Sequence, residues 1–227
     1  MARTRDPESH TVRRDAFVDA AQRIMAIKGY EALSIQEVID SVGASKGAFY
    51  HYFGAKSDLL EAVVERMADG VEQGWAQVME RHEASAIDRL EGLFATTAQY
   101  KNARRDLSLA LLEAWLSDSN AILRERLRLM VGRRLTPVLE RILRQGADSG
   151  ELSASEPEGT ARVVVALILG SQEEAGRLFV ARQSDAASFE DVERHFAAFE
   201  EAFNRILGLA PGRLSLTDPP TMRLWFG

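Results

Sequence analysis

Residues 45–56 read Ser-Lys-Gly-Ala-Phe-Tyr-His-Tyr-Phe-Gly-Ala-Lys and place five ring side chains in succession, with a lysine near each end. The whole chain is only 7% aromatic, so this density needs a local explanation. Helical spacing supplies one, because Phe49 and Phe53 are four residues apart and share one side of a helix. Tyr50 and Lys46 share a different side. We predict that the two phenylalanines anchor this helix in a core and that Tyr50 and Lys46 stay on its surface.

The segment before this helix supplies a second short helix and a tight turn. Ser34-Ile-Gln-Glu37 has the pattern of a capping box, in which serine and glutamate side chains each bond the other residue's backbone amide. That helix ends near Gly43, and Ser45 is placed to cap the next one. Two short helices joined by a Gly-containing turn form a helix-turn-helix. The second helix of such a unit enters the DNA major groove by its first turn, here Lys46 and Gly47.

Helical rather than alternating periodicity extends over the rest of the chain, so we predict an all-α protein. The short helices end near residue 55, and longer helices follow. We therefore predict an N-terminal arm and helix-turn-helix domain at 1–55, a helical bundle at 56–210 and an irregular tail at 211–227. The tail is predicted to be irregular because it holds three of the six prolines. Pro137 is expected to kink or break the long helix in which it lies.

Composition describes an ordinary globular protein without cysteine. The 227 residues are 46% hydrophobic and 27% charged, with a net charge of −6, and a chain of this size can bury its own core. The absence of cysteine excludes disulfides and thiolate ligands. The longest apolar run, residues 163–169, is too short to span a bilayer, and no secretory signal pattern is evident. We expect a cytoplasmic protein.

Residues 13–60 resemble the DNA-binding domain of the tetracycline-repressor (TetR) family of transcriptional regulators. The resemblance covers about a fifth of the 227 residues, and it is specific because it is long and gapless. It implies a helix-turn-helix domain followed by a divergent helical domain that binds a small molecule and dimerises. The residues that carry it are Lys28-Gly29-Tyr30, Leu33-Ser34-Ile35, the run from Val42 to Phe53, and Lys56-Ser57-Asp58-Leu59-Leu60.

The resemblance also implies roles for individual side chains. Tyr50 and Lys56 fall on phosphate-contacting positions of the family, and the cap Ser34 is a further candidate for a phosphate contact. At Ala55 the sequence departs from the family, which commonly has a capping Asn or Ser there, and this leaves Gly54 or Ser57 as the cap. Contacts to bases or to the groove are implied for Gln36, Ser45, Lys46, Gly47 and Tyr52.

The last predicted helix spaces its apolar residues, from Phe189 to Ile206, by alternating steps of three and four. With the apolar run at 163–169, this seam indicates two helices that pack against each other and against a second copy. An intramolecular core is the other interpretation, and part of each helix is expected to serve one. Symmetric DNA readers hold two recognition helices about 34–36 Å apart, so we favour a homodimer interface. Its predicted residues are Val164, Ile168, Phe196, Phe199 and Phe203.

The middle helices contain side chains suited to a small-molecule pocket. Glu113 beside Trp115 is the strongest polar candidate, because a buried carboxylate needs a partner. Ordinary bundle core is the alternative for every one of these residues. The ligand-binding candidates are Trp75, Met79, Phe94, Tyr100, Glu113 and Trp115.

The sequence therefore predicts a repressor that binds a palindromic double-stranded operator as a homodimer and is released by a small-molecule effector. The main alternative is a nucleoid-associated or architectural DNA binder of the same fold, with a filled bundle core. An enzyme is disfavoured, because the chain has no Walker loop and no GxGxxG, GxSxG or HExxH motif. We expect no catalytic residue, no cofactor, no metal site and no membrane partner.

Overall fold

The computed structural model describes residues 7–227, without the side chains of residues 7–9 and 118, so the first part of the predicted arm lies outside it. The described residues form ten α-helices and no strand, which confirms the all-α prediction. Within this part of the chain, no helix combines the length and apolarity needed to cross a lipid bilayer. The helices are α1 Pro7–Lys28, α2 Ile35–Val42, α3 Lys46–Tyr52, α4 Lys56–Met79, α5 Ala86–Asn102, α6 Arg105–Leu116, α7 Ala121–Asp148, α8 Pro157–Gln183, α9 Phe189–Ile206 and α10 Pro219–Phe226.

The chain forms two compact units whose boundaries fall inside helices. The first unit runs to Asp69 and also includes Arg104–Leu127, and the second comprises Gly70–Ala103 and Arg128–Gly227. The sequence placed the boundary at residue 55 because the motif ends there. The structure instead gives the first part of α4 and the whole of α6 to the N-terminal unit.

Ion pairs fasten α4 to α1 in the first unit. The Arg66 guanidinium pairs with the carboxylates of Asp15, at 2.7 Å, and Asp19. One arginine side chain thus bridges two successive turns of α1. Helix α1 stops at Gly29, whose φ of +79° is the left-handed conformation that glycine favours at helix ends.

The predicted capping box at the start of α2 is present. The Ser34 hydroxyl accepts from the Glu37 amide at 3.2 Å, and the Glu37 carboxylate accepts from the Ser34 amide at 3.0 Å. Glu37 also pairs with the Lys28 ammonium. Bonds from Lys28 first, and then from Ser34, lower the pKa of Glu37 to about 2.

The second unit has a continuous apolar core. It is built from side chains of α5, α7, α8, α9 and the second half of α4, and Leu214 from the tail completes it. Helix α5 approaches α4 at glycines, because a Cβ at Gly70 would overlap the Tyr100 ring and one at Gly74 would overlap Thr96. Close backbone approach therefore leaves little space between these two helices.

The prediction of an irregular tail is wrong. Asn204, which is buried, donates from its amide nitrogen to the Leu214 carbonyl at 3.2 Å and accepts from the Leu214 amide at 3.1 Å. A single Glu200 oxygen accepts from the amides of Leu216 and Thr217. The two adjacent prolines then occupy the first turn of α10, where a backbone N–H would have no hydrogen-bond partner within the helix.

One of the two outcomes expected at Pro137, a break in the helix, does not occur. Pro137 lies inside α7, which continues without a break to Asp148. Helix α6 buries Leu107, Ala110 and Ala114, and its other residues are half-buried or exposed. Its other leucines are half-buried, and the helix packs on α1.

The Asn204→Ala variant tests how firmly the tail is attached. It leaves the buried amide and carbonyl of Leu214 without partners, so we expect the free energy of unfolding to fall by about 1–3 kcal/mol. The matched control is Arg205→Ala, which removes an exposed pair with Glu201 and should cost about 0.5 kcal/mol or less. Chemical denaturation measures both, and equal losses would contradict the assignment.

The Glu37→Gln variant tests the electrostatic part of the capping box. Because the folded pKa of Glu37 lies below its ordinary value of 4.5, at about 2, its contribution is complete above pH 4.5 and is lost as the pH falls towards 2. We expect the variant to lose less stability than the native chain over that window in chemical denaturation. Glu193→Gln, at an exposed position of α9, serves as the control. If Glu37→Gln lost as much stability as the native chain over that pH window, the expectation would be refuted.

Candidate nucleic-acid interface

Two phenylalanines hold α3 to the rest of the first unit. Phe49 is fully buried and Phe53 is 2% exposed, so both predictions of a core role are confirmed. Their ring centroids lie 5.6 Å and 6.3 Å from that of Phe17 on α1, with the rings nearly perpendicular. Edge-to-face packing of this kind is favourable beyond the area that it buries. The packing of these two rings on Phe17 therefore determines which side of α3 faces solvent.

The first turn of α3 is open to solvent. The Ser45 hydroxyl accepts from the Ala48 amide at 3.1 Å, which confirms it as the N-cap. Lys46 and Gly47 are exposed, and a Cβ at Gly47 would meet only the Ser45 hydroxyl, at 4.0 Å. A flat surface such as a base-pair edge can therefore approach this turn closely.

Tyr50 lies on the outer side of α3. Its side chain is 47% exposed, and its ring stands edge-on to Phe49 with centroids 5.4 Å apart. The Lys46 ammonium lies 6.0 Å from the Tyr50 ring centroid. A cation and a phenol thus share one exposed surface of the helix, as their four-residue spacing predicts.

Tyr52 is less accessible than the other candidates. It is half-buried, with its ring centroid 4.6 Å from that of His10 and 5.9 Å from that of Phe17. His51 is exposed and meets His10 edge-on at 5.5 Å. The Tyr52 ring therefore packs on α1, and only its outer part remains for a groove contact.

The candidates on α2 are exposed but already hydrogen-bonded. The Gln36 amide donates to the Asp40 carboxylate at 2.8 Å along the same helix. The Ser34 hydroxyl is engaged in the capping box and also donates to Glu37 at 2.7 Å. A DNA contact by Gln36 therefore requires that it exchange or share its bond with Asp40.

At the start of α4, a lysine lies beside backbone amides of the first helical turn, and the residue at the N-cap position has no side-chain oxygen to accept from them. Ala55 has no oxygen to cap the helix, and Asp58 instead accepts from the amides of Gly54 at 2.8 Å and Ala55 at 3.2 Å. Half of a capping box is therefore present, a solution that the sequence analysis missed. The first amides of α4 carry the positive end of the helix dipole, beside Lys56.

Lys56 is half-buried rather than free in solvent. Its ammonium lies 4.3 Å from the Tyr30 ring centroid and donates to the Glu31 carbonyl at 3.0 Å. Burial is the main reason that its pKa is lowered, and the nearby Lys28 adds to the effect while Glu31 opposes it. Tyr30 was not predicted to have a role at the site, and its signal in the sequence is an aromatic residue directly after the helix-ending Gly29.

The six predicted ligand-binding residues do not form one group. Trp75 and Met79 are buried in the core of the second unit, where the Trp75 indole donates to the Thr97 hydroxyl at 2.9 Å. Phe94 packs on Phe203, with ring centroids 5.7 Å apart. Tyr100 lies over Gly70. These four belong to the second unit, and core is the interpretation that their packing favours.

Glu113 and Trp115 belong to the first unit, and the prediction of a buried carboxylate is wrong. Glu113 is exposed, because it lies on the side of α6 next to Gly29 rather than among the buried alanines. The described part of the chain has surface depressions on the second unit, and the two best formed contain no predicted ligand residue. One is lined by residues 81–84, 88, 91, 92 and 95, and the other by Pro137, Glu140, Arg141, Arg144, Gln145, Asp148 and Ser149.

Most of the predicted interface residues are buried in the chain's own core. Val164, Ile168, Phe199 and Phe203 are all less than 9% exposed in the single chain, which corrects their assignment to a surface between copies. The apolar residues of α8 and α9 do form a continuous surface, but this surface packs inside their own helical bundle. Phe196 is half-buried, and its ring centroid lies 5.9 Å from that of Phe226 in α10.

Comparison with known proteins points to one family. Residues 17–63 match the family model described as bacterial regulatory proteins, tetR family. The transcriptional repressor KstR2 of Mycolicibacterium smegmatis is 28% identical over 88 residues, which cover 39% of this chain and 42% of KstR2. The repressor AcnR of Corynebacterium diphtheriae is 33% identical over 121 residues, covering 45% of this chain and 63% of AcnR. The matches thus span about half of each relative.

Similarity of fold extends further along the chain. The crystal structure of RolR in complex with resorcinol aligns over 96% of this chain and 95% of RolR, with a TM-score of 0.64 and 16% identity. The relatives are named as transcriptional regulators and not as enzymes. Residues 17–63 thus match the tetR-family domain in sequence, and the rest of the chain is similar to RolR in fold.

Proposed function

We propose that this chain is a DNA-binding transcriptional repressor that reads a palindromic operator as a homodimer. The observation that carries the proposal is the geometry of α3, whose buried phenylalanines leave the first turn exposed. Ser45, Lys46 and Gly47 form that turn and would face base edges in the major groove. The repressor names of two relatives support the direction of regulation.

Phosphate contacts in this proposal come from side chains on both flanks of the exposed turn. Tyr50 offers a phenol on the outer side of α3, and Lys56 offers an ammonium beside the free amides of α4. Such contacts fix the register on the duplex but carry no sequence information themselves. Ser34 and Gln36 add weaker contacts, since their polar groups already have partners.

A homodimer is the second part of the proposal. A palindromic site requires two recognition helices related by a two-fold axis. The surface that suits a second copy is the outer side of α8, where Val163 is 56% exposed and Ala166 and Gly170 are exposed on the same stripe. These residues, rather than the buried seam, are proposed to meet their equivalents in the partner.

Release by a small molecule is the third part. The RolR structure contains resorcinol, so a fold of this kind accommodates a small aromatic molecule. In this chain the core of the second unit is filled by side chains that include Trp75, Met79 and Phe94. An effector therefore binds a conformation in which that core opens, and its effect is limited by its differential affinity for the two states.

The filled core favours one alternative, an architectural DNA binder of the same fold without an effector. The two functions differ in what they bind. Selection of bound duplex from a random pool should yield one palindromic consensus for a repressor, and a metabolite mixture should reduce its recovery. A pool that stays diverse and ignores metabolites would overturn the repressor proposal in favour of the architectural one.

Substitutions in α3 and α4 should separate phosphate contacts from base contacts on the selected duplex. Lys56→Met is expected to weaken binding to every sequence alike and to reduce the slope of log K against log salt by about 0.9, the contribution of one phosphate contact. Tyr50→Phe should weaken all sequences alike. Lys46→Ala should instead relax the preference at individual base pairs. Fluorescence anisotropy across a salt series measures all three.

The control for the loss of a cation is Arg141→Ala, at an exposed position of α7 in the second unit. It changes the net charge as Lys56→Met does, and we expect its salt slope to remain that of the native protein. If Lys56→Met altered only the base preference, or if Arg141→Ala reduced the slope equally, the assignment of Lys56 to phosphate would be wrong.

The dimer surface is tested by Gly170→Arg. A Cβ at Gly170 meets no other atom within 4 Å, so the single chain tolerates the substitution. A bulky cation at the centre of the proposed surface is expected to convert dimers to monomers in sedimentation velocity. Gln172→Arg, an exposed position on another side of α8, should stay dimeric. Dimers that persist in Gly170→Arg would exclude this surface.

A further inference from the structure

The ammonium group of Lys56 is held by the turn between α1 and α2. It lies 4.3 Å from the centroid of the Tyr30 ring, within the range of a cation–π interaction. It also donates to the Glu31 carbonyl at 3.0 Å. Lysine side chains on a surface usually sample many rotamers, whereas this one has two partners 25 and 26 residues earlier in the chain. Its end is therefore fixed in one place.

Tyr30 is itself a rigid support. Its side chain is 7% exposed, and its carbonyl accepts from the Leu33 amide at 3.1 Å, which closes the turn. Gly29 enters that turn with a positive φ, a conformation that sets the direction of the next residue. Since the ring is fixed by the turn and by burial, it does not need to be ordered when Lys56 rests on it.

The geometry leaves the ammonium able to take one more ligand. An ammonium has three N–H donors, and Lys56 gives one of them to Glu31. The other lysine of this region, Lys28, is already paired with Glu37. Burial lowers the pKa of Lys56, which reflects an ammonium that has lost part of its water and interacts strongly with an approaching anion.

We propose that Tyr30, with the Glu31 carbonyl, is a positioning residue that holds the Lys56 ammonium in place to receive a DNA phosphate. This inference rests on the proposed DNA-binding function and adds a residue that does not itself touch DNA. The held lysine loses its rotamer freedom during folding, so that binding DNA no longer carries that cost. The positioning needs the aromatic ring of Tyr30 and not its hydroxyl group.

Two substitutions at one position separate the ring from the hydroxyl. Tyr30→Phe keeps the ring, and we expect affinity for the selected duplex within about twofold of the native protein. Tyr30→Leu keeps an apolar side chain but removes the ring, and should weaken binding by about three- to tenfold. In a Lys56→Met background the same Tyr30→Leu change should have no further effect, because the ammonium that it positions is gone.

Nuclear magnetic resonance provides a measurement that simple destabilisation would not reproduce. The ε-methylene protons of Lys56 should resonate upfield of other lysines in the native protein and in Tyr30→Phe, because the ring shields them. The shift should vanish in Tyr30→Leu, and thermal unfolding shows whether that variant is folded at the assay temperature. If Tyr30→Leu unfolds, the native shift alone decides, and its absence would overturn the inference.

The outcomes distinguish this inference from the function on which it rests. If the native protein selects no duplex, the DNA-binding proposal fails and the positioning role fails with it. If the native protein binds its duplex but Tyr30→Leu matches Tyr30→Phe, only the positioning role is overturned. An equal loss from Tyr30→Leu in the native and Lys56→Met backgrounds would also overturn it, since the effect would then be independent of the lysine.

Discussion

The packing of Phe49 and Phe53 against Phe17 is the constraint on which the proposed DNA-binding surface depends. Helix α3 has only seven residues, and a helix that short is unstable alone in water because nucleation costs more than its few hydrogen bonds return. Its stability and its direction therefore come from the two buried rings. Once those rings are fixed, the 3.6-residue period decides which side chains of α3 point outward.

That constraint also explains why five rings occur together without forming one cluster. Phe49 and Phe53 face the core, Tyr50 lies on the outer side and Tyr52 packs between His10 and Phe17. A helix of two turns cannot bury all five, so their functions separate by angle around its axis. His51 is exposed and contacts His10, and neither histidine is needed to explain how α3 is held.

The sequence predicted the helix ends well. The capping box at Ser34 and the cap at Ser45 each depend on residues within four positions of one another. Burial depends on distant partners instead. Glu113 and Phe199 were misassigned for that reason, since periodicity locates the apolar side of a helix but does not say which element covers it.

The same limit applied to the candidate site and to the tail. Tyr50 and Lys46 were predicted on one exposed side of α3 from spacing alone, whereas the contact of Lys56 with Tyr30 joins residues 26 positions apart and has no local signature. The prolines of the tail were read as breakers. They are also good first residues of a helix, and Asp218 before them supplies the cap.

Under the proposed function, the packing of α4 against α5 determines how the chain would respond to a small molecule. Gly70 and Gly74 bring α5 so close that even a methyl group would overlap Tyr100 or Thr96. An effector that enters between these helices must therefore select a separated conformation that is rare in its absence. Its apparent affinity is then the intrinsic affinity reduced by the fraction of that conformation. Under that proposal, only molecules whose contacts outweigh the lost α4–α5 packing would change the population of the DNA-binding state.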